Sequence, residues 1–145
     1  MTVLLEGPGV TVPDVVGVAR RGEKVRLTVG ALERMRAARS IVEQFAEGDP
    51  AFGITTGFGA LATTTIPTGR RADLQRSLIR SHAAGMGPPV EVEVVRAMMF
   101  LRARTLALGY SGARPVVADG LVHLLNVGIA PMVPEHGSRR SGSHR

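Results

Sequence analysis

Cysteine and tryptophan are both absent from the 145 residues. Without cysteine there is no disulfide framework, no thiolate nucleophile and no cysteine-based zinc site. Aromatic residues make up only 3% of the chain, as Phe45, Phe52, Phe58, Phe100 and Tyr110. They are too few and too scattered to form base-stacking platforms. No run of about 18 apolar residues occurs, which excludes a transmembrane helix. Residues 1–10 lack a basic flank and are interrupted by Glu6, Gly7 and Pro8, so they do not read as a secretory signal. The expectation from these absences is a cytoplasmic protein whose partners include neither nucleic acid nor membrane.

What is present supports one modest globular domain: 44% hydrophobic and 21% charged residues suffice for an apolar core and argue against general disorder. The formal charge of +6 would suggest a polyanionic partner, but Arg139, Arg140 and Arg145 supply half of it from a terminal stretch without acids. The remainder is ordinary for a soluble domain.

Hydrophobic periodicity makes the chain mainly α, after a short mixed α/β opening. Val3-Leu4-Leu5 and Val25-Arg26-Leu27 read as strands. Between them Val12, Val15, Val16 and Ala19 repeat at helical spacing, with Pro13 near the start where its missing N–H costs little. Thr28 is a plausible N-cap for a longer helix carrying Leu32, Met35, Ile41, Val42 and Phe45, ended by Gly48-Asp49-Pro50. Residues 51–69, with glycines and threonines and no clean period, read as a long loop of the kind that often has a function. A helix over about 70–84 carries Leu74, Leu78, Ile79 and Ala83, with Gly85 as its stop. Pro88-Pro89 is read as opening the next helix, whose stripe is Val90, Val94, Met98, Leu101, Thr105 and Leu108, closed by Gly109. The final helix starts at Pro115 and is closed by Gly128. Four or five helices result, without internal repeats. Residues 139–145 are polar and basic and are expected to be a disordered tail.

The chemistry carried by single residues is modest. Gly53, Gly57 and Gly59 could bring backbone N–H groups to an anion, but the Lys-Ser/Thr of a P-loop is missing. His82, next to Ser81 at a helix end, fits either a cap on the helix dipole or a polar reader in a pocket. His123, between leucines, reads as a satisfied structural residue. His82, His123 and His136 lack metal-ligand spacing, so no metal site is expected. Ser81 has no nucleophile-elbow context. Arg102, Arg104 and Arg114 read as exposed helix and turn charges.

Four segments in order resemble the aromatic amino acid ammonia-lyases and aminomutases. They are Phe52-Gly53-Ile54-Thr55-Thr56-Gly57-Phe58-Gly59, the stretch 74–85 ending Ser81-His82-Ala83-Ala84-Gly85, the stretch 102–115 containing Gly109-Tyr110-Ser111-Gly112-Ala113-Arg114-Pro115, and Val133-Pro134-Glu135-His136-Gly137-Ser138. Ser81-His82-Ala83-Ala84-Gly85 is most similar to the histidine ammonia-lyases, with tyrosine ammonia-lyases and aminomutases close behind. The resemblance covers residues 1–138 and only the N-terminal part of a much longer family chain. It implies the N-terminal portion of the aromatic ammonia-lyase fold, and non-oxidative removal of an α-amino group, as in conversion of histidine to urocanate and ammonia. It also implies a homotetramer whose sites borrow loops from neighbours, an aromatic amino acid as ligand, and a methylidene-imidazolone electrophile self-formed from Ala-Ser-Gly.

Carried over residue by residue, the resemblance makes His82 a substrate-reading histidine and Gly59 a glycine whose backbone lies against the substrate. Phe52 stands where the family has its tyrosine base, and a phenyl ring has no hydroxyl with which to exchange a proton. Loss of a general base costs about 10²–10⁴ in rate. After Ser138 the chain reads Arg139-Arg140-Ser141-Gly142-Ser143, and Ala-Ser-Gly occurs nowhere in it, so no cofactor is expected to form. A reading-frame change near Ser138, an engineered end and a short natural paralogue are the accounts open. The expectation is an N-terminal fragment of a lyase of this family without turnover of its own. The rival is a non-catalytic module that binds an aromatic amino acid, or a full-length lyase, through residues 51–69 and His82. Val90, Met98, Leu101 and residues 129–133 are expected to lack partners, so the chain should form oligomers or aggregates.

Overall fold

A computed structural model describes residues 1–47 and 51–137. The expected tail and the Gly48-Asp49-Pro50 stop lie outside the described residues. The chain divides into two compact units: Met1–Ile41 with Val90–Val133, and Val42–Pro89 with the described residues after Val133.

The first unit opens with β1 (Thr2–Leu5), α1 (Val12–Arg20) and β2 (Lys24–Leu27). The two strands pair in parallel, Val3 opposite Val25 and Leu5 opposite Leu27. Parallel pairing requires a crossover, which α1 supplies. Alternation along each strand buries Val3, Leu5, Val25 and Leu27 and leaves Thr2, Leu4, Lys24 and Arg26 outside. Thr11 caps α1 by a reciprocal arrangement with Asp14: the Thr11 N–H donates to Asp14 Oδ2 at 2.8 Å, and the Asp14 N–H donates to Thr11 Oγ1 at 3.4 Å. The face that α1 buries is centred on Gly17 and Val18, and Val12 is 76% exposed.

Next come α2 (Val29–Glu47), which Thr28 caps by accepting the Ala31 N–H at 3.2 Å, and, after the second unit, α4 (Val92–Ala107) and α5 (Pro115–Val127). Helix α4 packs on α1, α5 and β1. The core joins Val3, Leu5, Val18, Val25, Leu27, Ala31 and Met35 to Val95, Met99, Phe100, Ala103 and Leu106 of α4 and Val122 and Leu125 of α5. Burial of Phe100 alone contributes about 2 kcal/mol. The stripe expected on α4 is therefore corrected: its core face is Val95, Arg96, Met99, Phe100, Ala103, Leu106 and Ala107. Val94, Met98 and Leu101 remain 41%, 52% and 42% exposed. Helix α4 is apolar on two faces, and only one of them meets this core. Gly109 ends it at φ +80° with Arg34 backbone pressed close, since a Cβ there would sit 3.0 Å from the Arg34 carbonyl oxygen.

The second unit contains a 3-10 turn at Gly59–Leu61, α3 (Thr68–His82), β3 (Met86–Pro89) and β4 (Pro134–His136). Pro88 and Pro89 do not open a helix. They lie in β3, which pairs antiparallel and irregularly with β4, opposing Met86 to His136 and Pro89 to Pro134. A two-stranded sheet has only edge strands, where the missing proline N–H is tolerated. Gly85 is likewise no left-handed stop. Ala83 caps α3 in its place, its N–H donating to Ile79 O at 3.0 Å, and Gly85 lets Pro134 approach, since a Cβ would meet Pro134 Cγ at 2.7 Å. Among the described residues of this unit no large apolar side chain is buried; Thr55 and Thr56 are.

Candidate functional site

Residues 51–66 are ordered by their own backbone. The Ala51 carbonyl accepts the N–H groups of Ile54, Thr55 and Thr56, while the Gly57 N–H donates to Thr64 O at 3.1 Å and the Ile66 N–H to Thr55 O at 2.8 Å. Thr56 and Thr65 form an isolated antiparallel bridge. The Ala51 N–H donates to the buried Thr55 Oγ1 at 2.7 Å. A long loop without structure is thus corrected to a self-bonded turn. The Gly57 N–H is engaged internally, which takes away one of the donors an anion cradle would need.

Phe52 and Gly59 lie on the outside of this turn. The Phe52 ring, 67% exposed, meets the Phe58 ring edge to face with centroids 5.9 Å apart. Gly59 adopts φ +57°, and a Cβ built on it meets nothing within 4 Å, so its backbone borders open space. Arg71 ties the turn to the helices at its two ends, donating from Nη1 to Ala46 O at 2.8 Å and from Nε to Ile66 O at 3.2 Å.

His82 is the last residue of α3 and is exposed. Its Nδ1 lies 2.9 Å from Leu78 O and 3.0 Å from Ser81 Oγ. A proton on Nδ1 is the tautomer that satisfies the carbonyl, and it makes Nε2 an acceptor. Among the described residues nothing bonds to Nε2. The cap and the polar reader are therefore compatible roles for one ring, using different nitrogens. The Ser81 hydroxyl donates to Leu78 O at 2.8 Å and so is committed to the helix end. His123 is exposed on α5, contrary to its reading as a satisfied structural residue, because the buried face of α5 runs through Ala118, Val122 and Leu125. Among the described residues no group of three or more His, Asp or Glu could hold a metal.

Two polar residues that hold the first unit escaped sequence reading. Arg96 is buried, and its guanidinium donates to Val18 O, Ala19 O and Leu125 O at 2.8–3.2 Å, the last turns of α1 and α5. Asn126 presents its side-chain amide to β2 as a strand would, accepting the Val25 N–H at 2.8 Å and donating to Val25 O at 2.9 Å. Arg104 is half-buried rather than exposed, with a donor on Pro8 O at 3.4 Å and its buried Nε unpartnered.

Residues 10–142 match the family model for aromatic amino acid lyases. The chain belongs to the aromatic amino acid lyase family. Over 138 residues it is 54% identical to a histidine ammonia-lyase of Streptomyces griseus, covering 94% of this chain and 27% of that protein. Among solved structures, a tyrosine aminomutase from Streptomyces globisporus superposes with a TM-score of 0.89 at 35% identity, and a histidine ammonia-lyase from Trypanosoma cruzi with 0.85 at 32%. Each match covers 95% of this chain and 26–27% of the other. The chain thus spans about a quarter of the length of the relatives it matches. The electrophile that the resemblance implies needs Ala-Ser-Gly, and no such triplet stands among the 145 residues. The residues present do not fit that group.

Proposed function

We propose that this chain is a histidine ammonia-lyase-like segment that contributes the histidine-reading wall of an aromatic amino acid site and has no turnover by itself. The observation that carries the reading is His82, fixed through Nδ1 to Leu78 O with Nε2 left as an acceptor. An imidazole N–H or a phenol O–H on a bound amino acid is the matching donor. Gly59, whose backbone borders open space, is the second contact, where a side chain would intrude on the ligand. The 54% identity to a histidine ammonia-lyase favours histidine as that ligand. The likeness to a tyrosine aminomutase favours tyrosine as the second reading.

The absence of turnover rests on two chemical requirements. The β-proton of an amino acid is weakly acidic, so its removal needs an electron sink and a positioned base together. Phe52 carries no ionisable group, and the triplet that would form the sink is missing from these residues. Calorimetry of the 145-residue chain with histidine and with tyrosine tests binding, and His82→Ala should abolish the heat. Heat for neither amino acid rejects the reading. Product absorbance tests turnover: Phe52→Tyr is expected to leave it at background, because a restored hydroxyl still lacks its sink. Turnover in that variant would require another electrophile.

A further inference from the structure

Strands β1 and β2 form a sheet of two, so each has one side without a neighbouring strand. On β2 the Lys24 and Thr28 N–H groups donate to Met1 O and Leu5 O, which turns the N–H and C=O of Val25 and Leu27 away from β1. Val25 is served on that side by the Asn126 amide, at 2.8 and 2.9 Å. Leu27 is not: among the described residues nothing bonds to its N–H or its C=O. Its side chain is buried in the core, so what Leu27 shows to the adjacent groove of about 470 Å³ is backbone. Val122 of α5 lines the same groove, and Arg26 and Asp119 are its charged groups. Both are exposed, and among the described residues neither has an ion-pair partner.

We propose that this groove binds a short extended peptide with free ends, which adds a single rung to β2 at Leu27. Asn126 shows what fits this side of the strand: a planar amide that gives one hydrogen bond and takes one. A peptide residue running antiparallel to β2 does the same, donating its N–H to Leu27 O and accepting the Leu27 N–H. Only one rung is open. Asn126 occupies the position at Val25, and beyond Leu27 the chain turns at Thr28 into α2. A long strand, including one from a second copy of this chain, therefore gains no backbone pairing over a tripeptide. The residue opposite Leu27 sends its side chain to the same side of the sheet, where Val122 favours a small apolar group. The two charges suit the peptide's ends, with Asp119 for the ammonium and Arg26 for the carboxylate.

The probe is the tripeptide glycyl-valyl-glycine, titrated into the 145-residue chain by calorimetry and by hydrogen exchange with mass spectrometry. The expected result is binding heat, together with loss of one exchangeable amide from the segment 24–28, because Leu27 becomes protected while Val25 is bonded beforehand. The same tripeptide with N-methylvaline at its centre lacks the donor for Leu27 O and should give neither signal. Arg26→Gln and Asp119→Asn, both at exposed positions, should each weaken binding about fivefold and leave the melting temperature unchanged. Blocking both ends of the peptide by acetylation and amidation should weaken it in the wild-type chain and make no difference in the double variant. Absence of heat, equal binding of the N-methylated peptide, or unchanged exchange over 24–28 overturns the proposal. Indifference to both charge variants does so as well. The tripeptide should bind His82→Ala as it binds wild type; loss of binding there would place it at the amino acid site instead. Histidine binding is measured separately, so failure at Leu27 leaves that site standing.

Discussion

Arg96 takes a guanidinium into the first unit where, among the described residues, three carbonyls and no carboxylate receive it. The last turns of α1 and α5 are the negative ends of two helix dipoles, so the cation is stabilised by partial charges rather than by an ion pair. Each acceptor left dry costs about 1–3 kcal/mol. Arg96→Leu recovers some solvation free energy but strands the carbonyls, and a loss of about 2–4 kcal/mol in urea denaturation is expected. Arg96→Lys should restore only part, since one ammonium cannot span Val18 and Leu125 together. Stability of the leucine variant at the wild-type level would show that the carbonyls find other donors. None of this was legible in the sequence. Arg96 stands amid valines and methionines, and its partners lie up to 78 positions away. His82 was more readable, because a histidine at a helix end has only a few local roles. Which nitrogen the helix occupies still needed coordinates.

At the scale of the element, local chemistry was read well and faces were not. Thr28 as a cap, Gly109 and Gly128 as stops, and the strands at Val3 and Val25 all stand where turn and capping preferences put them. Pro88-Pro89 misled because proline suits both a first helical turn and an edge strand, and only pairing with β4 decides between them. On α4 the pattern Val94, Met98 and Leu101 is a genuine apolar stripe. It lost to a face whose alanines, Ala103 and Ala107, let neighbouring elements approach closely. The cap of α1 gives a pH prediction. Hydrogen bonds from the Thr11 hydroxyl, and then from its backbone N–H, hold the Asp14 carboxyl below its ordinary value. The folded state therefore favours the ionised form. The resulting stability is complete above the ordinary carboxylate range and disappears as pH falls through the lowered value. The gap in melting temperature between wild type and Asp14→Ala should be constant near neutrality and close on acidification through that range. A gap indifferent to pH would remove the capping account.

At the scale of the molecule, family membership was legible because four motifs recur in order, and the match over residues 10–142 agrees. Motifs are local, so they could place Phe52, Gly59 and His82 in a family pattern. They could not show that Gly57 spends its N–H on Thr64, or that residues 51–66 hold themselves together. The exposed side of α4 has a consequence for the whole chain. Size-exclusion chromatography of the isolated protein should give concentration-dependent association, and Met98→Glu/Leu101→Glu should shift it toward monomer. A cooperative monomer at all concentrations would mean that the surface is tolerated in water.

The first unit is assembled from both ends of the chain, with residues 42–89 intervening. A nick by trypsin at exposed Arg76 or Arg80 would divide the polypeptide between β1, β2 and α1 on one piece and α4 and α5 on the other. Those pieces share one interior, so the severed protein should migrate as a single particle in native buffer and come apart only in denaturant. The covalent link through the middle is then dispensable for cohesion, and a permuted gene joining Val133 to Met1 through a linker and opening within residues 62–65 should encode the same first unit.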